Sequence, residues 1–247
     1  MSSKRNLVYG IHPVLEALNS GKNLDKVLVK SGILPGTENL LKQLRLSGVP
    51  IQFVPAEKLN KITSGNHQGV IAFISEIEYY KLDEIIPFTF EQGKVPFVLV
   101  IDGITDVRNF GAIARTAECA GVDAIVLPSK GSVAINADAI KTSAGALHKI
   151  PVCKTNNLTE SLNYLRNSGL MLVGATEKSA SVYYKTDFTV PLALILGAED
   201  TGLSQKVIKM ADFLIKIPMF GTIKSLNVSV AASILLYEAV RQRNFQE

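Results

Sequence analysis

The chain has 247 residues, 47% of them hydrophobic and 19% charged. That length provides one large domain or two modest ones, and the apolar share excludes a mainly disordered protein. With 26 basic residues against 22 acidic ones the formal charge is only +4, a balance that permits a polyanionic partner without demanding one.

Residues 1–77 alternate helical periods with short β-branched runs. IHPVLEAL reads as a helix, KVLVKS as a strand, and TENLLKQLRLSG as a helix closed by a glycine stop. PIQFVP and GVIAFIS read as strands on either side of AEKLNKIT. This is a small α/β unit with nine basic and six acidic residues up to Tyr80, a net of +3. Residues 78–95 lose clear periodicity and carry Pro87 and Gly93, which reads as a linker. Residues 96–247 form a second unit opening on the apolar strand VPFVLVI. A helix through GAIARTAECAG, a strand DAIVLP and a helix around NADAIKTSAGAL follow. NLTESLNYLRNSG is helical, LMLVGAT and PLALILG are strands, LSQKVIKMA is a helix, FLIKIP a strand and NVSVAASILLYEAVRQR a last helix. Continuous apolar strands separated by helices predict a parallel sheet covered on both faces, an α/β/α layering.

Several function classes are disfavoured by what is missing. Cys119 and Cys153 are too few for a disulfide framework or a thiolate metal site, and Cys119 is expected as a small buried hydrophobe. His12, His67 and His148 lie far apart without metal-ligand spacing, so no metal is expected. MSSKRNLVYG lacks the apolar run of a secretion signal, and the most apolar stretches are too short or interrupted to span a bilayer. A soluble, cytoplasmic protein is expected.

In an open α/β sheet the functional groups belong at the carboxyl ends of strands. Three such ends are loaded with polar residues. The first is DGITDVRNFGAIARTAECAG, where Asn109 and Gly111 lie in or beside the turn and Arg115 follows about one helical turn later. The second is LALILGAEDTGLS. Gly197 and Gly202 have the separation of a P-loop, but Leu203 stands where a phosphate-binding lysine would be, so a nucleotide triphosphatase is disfavoured. Glu199 could contact a ligand amine or hydroxyl, or simply favour a helix start. The third is IKIPMFGTIKSLNVSVAASILLYE, in which Ser225 or Asn227 could cap the helix, while the small residues of VSVAASI point to close packing on another backbone. No GxGxxG follows the apolar strands, so a conventional dinucleotide fold is not supported and a ligand would have to be held by separate strand-end loops.

Together the three segments resemble the signature set of the SpoU (TrmH-like) branch of the SPOUT RNA 2′-O-methyltransferases, in the same order and spacing. VYGIHPVLEAL and NHQGVIAF in the first unit resemble the RNA substrate-binding domain of the ribosomal subgroup, which brings the chain closest to the bacterial 23S rRNA guanosine 2′-O-methyltransferases. The resemblance implies a C-terminal domain tied in a deep trefoil knot, a homodimer, and S-adenosylmethionine held among the knot loops. Carried onto this chain, the cofactor residues are Thr176, Leu196, Gly197, Ile217, Met219, Ser225 and Leu226, and the catalytic set is Arg115, Asn109, Glu199, Ser225 and Asn227.

The family's arginine is often given the role of base. A guanidinium is already protonated at neutral pH and cannot readily take a further proton, so Arg115 is expected to clamp an RNA phosphate and stabilise the developing alkoxide. Asn109 and Glu199 would then orient Arg115 and the ribose, and Ser225 and Asn227 would fix the nucleotide. Lys4, Arg5, Arg108, Lys141 and Lys224 are candidate phosphate contacts. His12 and His67 are expected as structural histidines rather than RNA contacts. The alternatives are a tRNA 2′-O-methyltransferase sharing the same motifs, or a non-catalytic RNA-binding or ribosome-assembly protein that keeps the fold.

Overall fold

A computed structural model describes residues 7–32, 34–133 and 135–245. The chain divides into two compact units, Met1–Glu78 with Ile135–Ala137, and Tyr79–Ala134 with Asp138–Glu247.

The first unit runs β1 (Leu7–Tyr9), α1 (Ile11–Asn19), β2 (Leu24–Lys30), α2 (Glu38–Leu46), β3 (Ile51–Val54), α3 (Ala56–Asn60) and β4 (Val70–Ile74). Its four-stranded sheet has the order β1-β4-β2-β3, with β2 and β3 parallel and the other neighbours antiparallel. Val14 and Ala17 of α1 and Leu40 and Leu44 of α2 bury the apolar stripe of each helix against Val27, Val29, Val70 and Ala72. The loop into β4 is fixed by His67. Its Nδ1 accepts the Gly69 N–H at 3.0 Å, which leaves Nε2 to donate to Asn60 Oδ1 at 2.8 Å. Both ring nitrogens are therefore used within the unit, whereas His12 is exposed. Lys4 and Arg5 lie outside the described residues.

The second unit runs α4 (Leu82–Glu91), β5 (Phe97–Asp102), α5 (Val107–Cys119), β6 (Ala124–Pro128), α6 (Ala137–Thr142), β7 (Val152–Thr155), α7 (Leu158–Asn167), β8 (Met171–Ala175), β9 (Leu192–Gly197), α8 (Gln205–Met210), β10 (Phe213–Ile215) and α9 (Val228–Asn244). Its six strands are all parallel in the order β10-β8-β9-β5-β6-β7, with β5 and β9 central and all six residues of β9 buried. This is the parallel sheet that continuous apolar runs predict.

Four local readings change. The expected linker contains α4, whose Ile86 joins the core, so tertiary burial outweighs the ladder bond that Pro87 removes. The short run Val152–Thr155, not anticipated, pairs with β6 as an edge strand. The helix expected around NADAIKTSAGAL stops at Thr142, because Ala144 and Gly145 take positive φ values of 51° and 84° before a 3₁₀ turn at Ala146–His148. Cys119, expected in the core, is exposed. The buried face of α5 runs Phe110, Ile113, Ala114, Ala117, and a residue two positions further turns about 200° away from it. Cys153 is the buried thiol, and desolvation, with Glu84 and Asp83 nearby, pushes its pKa up to about 12, so it stays protonated and unreactive.

Two contacts carry the packing that positions the sheet ends. Gly111 sits mid-helix at a cost in propensity because a Cβ there would lie 2.7 Å from the Thr142 Cβ, so only glycine lets α5 approach α6 this closely. Helix α9 packs on α5, where Thr116 Oγ1 and Ser233 Oγ meet at 3.3 Å, which accounts for the small residues of VSVAASI. At the other end of α9, Arg243 Nε donates to Phe188 O at 2.7 Å. Its two terminal nitrogens donate to Val190 O at 2.7 Å, Val95 O at 3.0 Å and Pro96 O at 3.3 Å, and the guanidinium carbon lies 4.7 Å from the Phe97 ring centre. One fork thus ties the entries of both central strands. Arg243→Ala should cost about 3 kcal/mol, through stranded carbonyls and lost packing, and lower the Tm by roughly 6–12 °C in a thermal melt. Arg243→Lys should recover less than half, because one ammonium cannot reproduce the planar fork.

Candidate active site

The carboxyl ends of the central strands bring the loaded segments together. After β5, Asp106 caps α5 by accepting the N–H groups of Arg108 and Asn109, both at 2.8 Å, which sets Asn109 in the first helical turn. The cap is therefore Asp106, and the Asn109 side chain is free for other work. After β9 the chain folds back at once: Ala198 N–H donates to Gly202 O at 3.1 Å and Gly202 N–H to Ala198 O at 2.9 Å. A Cβ on Gly197 would collide with the backbone of Gly202 and Leu203, so glycine is required for this fold-back, which lifts Glu199 onto the sheet edge. At the start of α9, Asn227 Oδ1 accepts from Ser229 N–H at 2.9 Å and from Ser229 Oγ at 2.6 Å.

These three residues close on one another. Asn109 Nδ2 donates to Glu199 Oε2 at 2.7 Å, and Asn227 Nδ2 reaches Asn109 Oδ1 at 3.0 Å and Glu199 Oε1 at 3.4 Å. A carboxylate only accepts, so it dictates how both amides are turned. Asn227 spends both amide hydrogens inside the triangle, whereas the second amide hydrogen of Asn109 meets no acceptor among the described residues. Arg115 stands apart. It is exposed on α5 and makes no hydrogen bond or ion pair with the described residues. Six positions beyond Asn109 it is turned about 240° around the helix, so the two side chains leave by different faces.

A cavity opens at the ends of β8 and β10. Thr176, Ile217, Met219, Ser225 and Leu226 line it, together with Glu177, Lys216, Lys224 and, from α9, Ala231 and Leu235. Five expected cofactor residues therefore share one wall. Leu196 and Gly197 do not line it: Leu196 is 2% exposed within β9 and Gly197 backs the fold-back turn. Glu177, Ala231 and Leu235 were not singled out from sequence, since an acid after a strand and apolar residues on a core helix carry no distinguishing signal. Among the described residues there is no cluster of His, Cys, Asp and Glu able to hold a metal ion, and no helix is long and apolar enough to cross a membrane.

Comparison with known proteins decides the family. The SpoU rRNA Methylase family matches residues 96–237, and the family described as RNA 2′-O ribose methyltransferase substrate binding matches residues 7–80. The chain belongs to the SpoU rRNA methylase family. A Staphylococcus saprophyticus protein of the TrmH family of tRNA/rRNA methyltransferases is 37% identical over 240 residues, covering 97% of this chain and 96% of that protein. A Bacillus subtilis member of the same name is 36% identical over 245 residues, covering 99% and 98%. The SpoU methyltransferase AviRb of Streptomyces viridochromogenes, solved in complex with AdoMet, superposes with a TM-score of 0.61 at 26% identity, over 96% of this chain and 90% of AviRb.

The triangle predicts its own sensitivity. Glu199→Gln places an amide nitrogen against donors and releases the forced orientation of Asn109 and Asn227. Methyl transfer should fall at least about tenfold, the loss of one charge-assisted contact. The Tm should drop by no more than about 3 °C, because the group is exposed. Unchanged transfer would remove the triangle from the chemistry.

Proposed function

We propose that this protein transfers the methyl group of S-adenosylmethionine to a ribose 2′-hydroxyl of RNA, with a guanosine of 23S rRNA as the target. The observation that carries this reading is the closure of Asn109, Glu199 and Asn227, drawn from three strand ends, two residues along the chain from a cavity suited to the methyl donor. The fit of donor to cavity is chemical. Ile217, Met219, Leu226 and Leu235 offer an apolar wall for a flat purine, Glu177 an acceptor for a ribose diol, and Thr176 and Ser225 hydroxyls for polar ends. We further propose domains of 1–77 for RNA binding, 78–95 as the connection and 96–247 for methyl transfer, with the trefoil threading that the family resemblance implies, working in the cytoplasm.

When bound, S-adenosylmethionine supplies an electrophilic methyl group. What remains for the protein is alignment and charge. The free amide hydrogen of Asn109 aims at an oxygen of the incoming ribose or its phosphate, and Glu199 keeps that hydrogen in place. Ser225, on the cavity wall beside Asn227, holds the sugar against the donor. Arg115 grips the adjacent phosphate and stabilises the alkoxide with its two-pronged fork; a phosphate oxygen or a water accepts the proton, since a guanidinium does not. Exposed Arg108, Lys141 and Lys224 add charge toward the RNA backbone.

The family resemblance implies a homodimer in which Arg115 completes the site of the second copy, and its exit from α5 by a different face from Asn109 is compatible with that role. The apolar outer surface supports such pairing: Val230 is 47% and Tyr237 52% exposed on α9, and Phe220 is 96% exposed in the loop before it. Arg115→Ala should abolish transfer while S-adenosylmethionine affinity, read by calorimetry, stays within a few-fold, and Arg115→Lys should be severely impaired. Mixing Arg115→Ala with Glu199→Gln protomers should restore about a quarter of wild-type transfer, since half the random pairs are mixed and each mixed pair holds one intact site. No recovery would place Arg115 in its own chain's site.

Comparing 2′-O-methyl positions in rRNA and tRNA from cells with and without the protein tests the substrate. A position lost from 23S rRNA supports the proposal; one lost from tRNA replaces it with the tRNA reading; no change in either, together with no transfer of labelled methyl in vitro, overturns the activity.

A further inference from the structure

A second cavity lies at the same sheet edge and has no part in the transfer step above. It opens as a cleft between the ends of β5 and β9 and the start of α8, and is lined by Asp102, Thr201 and Gln205 with the backbone of Gly103 and Gly202. Asp102 is half-buried at the end of β5. Its Oδ2 accepts the Ser204 N–H at 2.7 Å, which fixes the direction of the carboxyl group, while Oδ1 accepts no hydrogen bond from the described residues. A held acceptor on the wall of a cleft favours an occupant that brings a donor. The fold-back turn that forms one wall, Ala198–Gly202, also carries Glu199, so an occupant would adjoin the Asn109–Glu199–Asn227 triangle.

We propose that this cavity seats the base of the nucleotide to be methylated, and that Asp102 reads an amino group on the edge of that base. The proposal rests on the reading of the protein as an RNA ribose methyltransferase. Guanine, adenine and cytosine each present an exocyclic amine, and guanine adds a neighbouring ring N–H that the same oxygen can accept through its second lone pair. Uracil presents its single N–H between two carbonyl oxygens, which the carboxylate repels. The Thr201 hydroxyl and Gln205 amide provide the complementary donor and acceptor for the rest of the ring. Seating the base here leaves its ribose at the triangle, so recognition and alignment of the 2′-hydroxyl are one event.

The test measures kcat/KM for labelled methyl transfer to transcripts of the mapped segment carrying guanosine, inosine, adenosine, cytidine or uridine at the methylated position. Wild-type protein should disfavour uridine roughly tenfold or more, and should lose a similar factor on inosine where the natural target is guanosine. Asp102→Asn keeps an oxygen for the Ser204 N–H, so its melting temperature and S-adenosylmethionine affinity should match wild type while the differences between bases shrink to about threefold or less. A natural uridine target, discrimination unchanged by Asp102→Asn, or an equal loss on all bases would overturn the assignment, the last leaving Asp102 only a tether for the loop. If wild-type protein methylates no RNA, the activity reading fails instead. Titration with GMP and UMP, followed by the amide resonances of Gly103 and Gly202, then decides the cavity: shifts with GMP alone support it, and shifts with both or neither overturn it.

Discussion

One carboxylate, Glu199, makes the polar edge of the sheet a single object. Its two oxygens take hydrogens from Asn109 and Asn227, residues 90 and 28 positions away in the chain, and those two amides then bond each other across 118 positions. No local conformation brings them together. They meet because β5 and β9 are hydrogen-bonded neighbours in register from Phe97–Leu192 to Asp102–Gly197, so both strands end at the same height. The fold-back that glycine at position 197 permits then places the acid over the helix that follows β5. An acceptor that cannot donate gives the cluster one orientation out of several.

Helix α9 links this edge to the opposite one. Its first turn is capped by Asn227 and its last turn carries Arg243, which holds the entries of the two central strands through four carbonyl oxygens. Between them the helix buries Ala232, Leu235, Leu236 and Ala239 and lends Ala231 and Leu235 to the cavity wall. A residue of the polar triangle is therefore the N-terminus of a rigid rod whose far end is fixed about 25 Å away. Burial lowers the pKa of Arg243 against the opposing pull of Asp123 and Asp187, and burial likewise raises that of Asp123, so this anchor is held at some electrostatic cost by geometry and packing.

Much of this was legible in the sequence, and the failures have physical causes. Runs such as VPFVLVI and LALILG are apolar throughout because both faces of a parallel sheet are covered, and they marked the central strands and their loaded ends directly. The edge strand Val152–Thr155 was invisible because four residues with one β-branched hydrophobe do not stand out from a loop. Helix α4 was hidden by Pro87, whose local penalty is outweighed by burying Ile86. At the site, residue types and order pointed to Asn109, Glu199, Asn227 and Arg115, but spacing along the chain could not say that the first three bond one another while the fourth leaves by another face. Asp102 carried a faint signal, a charged residue closing an otherwise apolar strand, and only the cavity gives it meaning.

The reach of Arg243 also bears on how the protein is made. Two of the four carbonyls it secures, those of Val95 and Pro96, precede it by 148 and 147 residues. At ribosomal speeds of about 5–20 residues per second, β5 emerges on the order of ten seconds before the side chain that locks it in place. For that interval an apolar strand waits without its final partners, open to aggregation. Nascent chains of this protein should therefore depend on holding chaperones more than their finished stability would suggest.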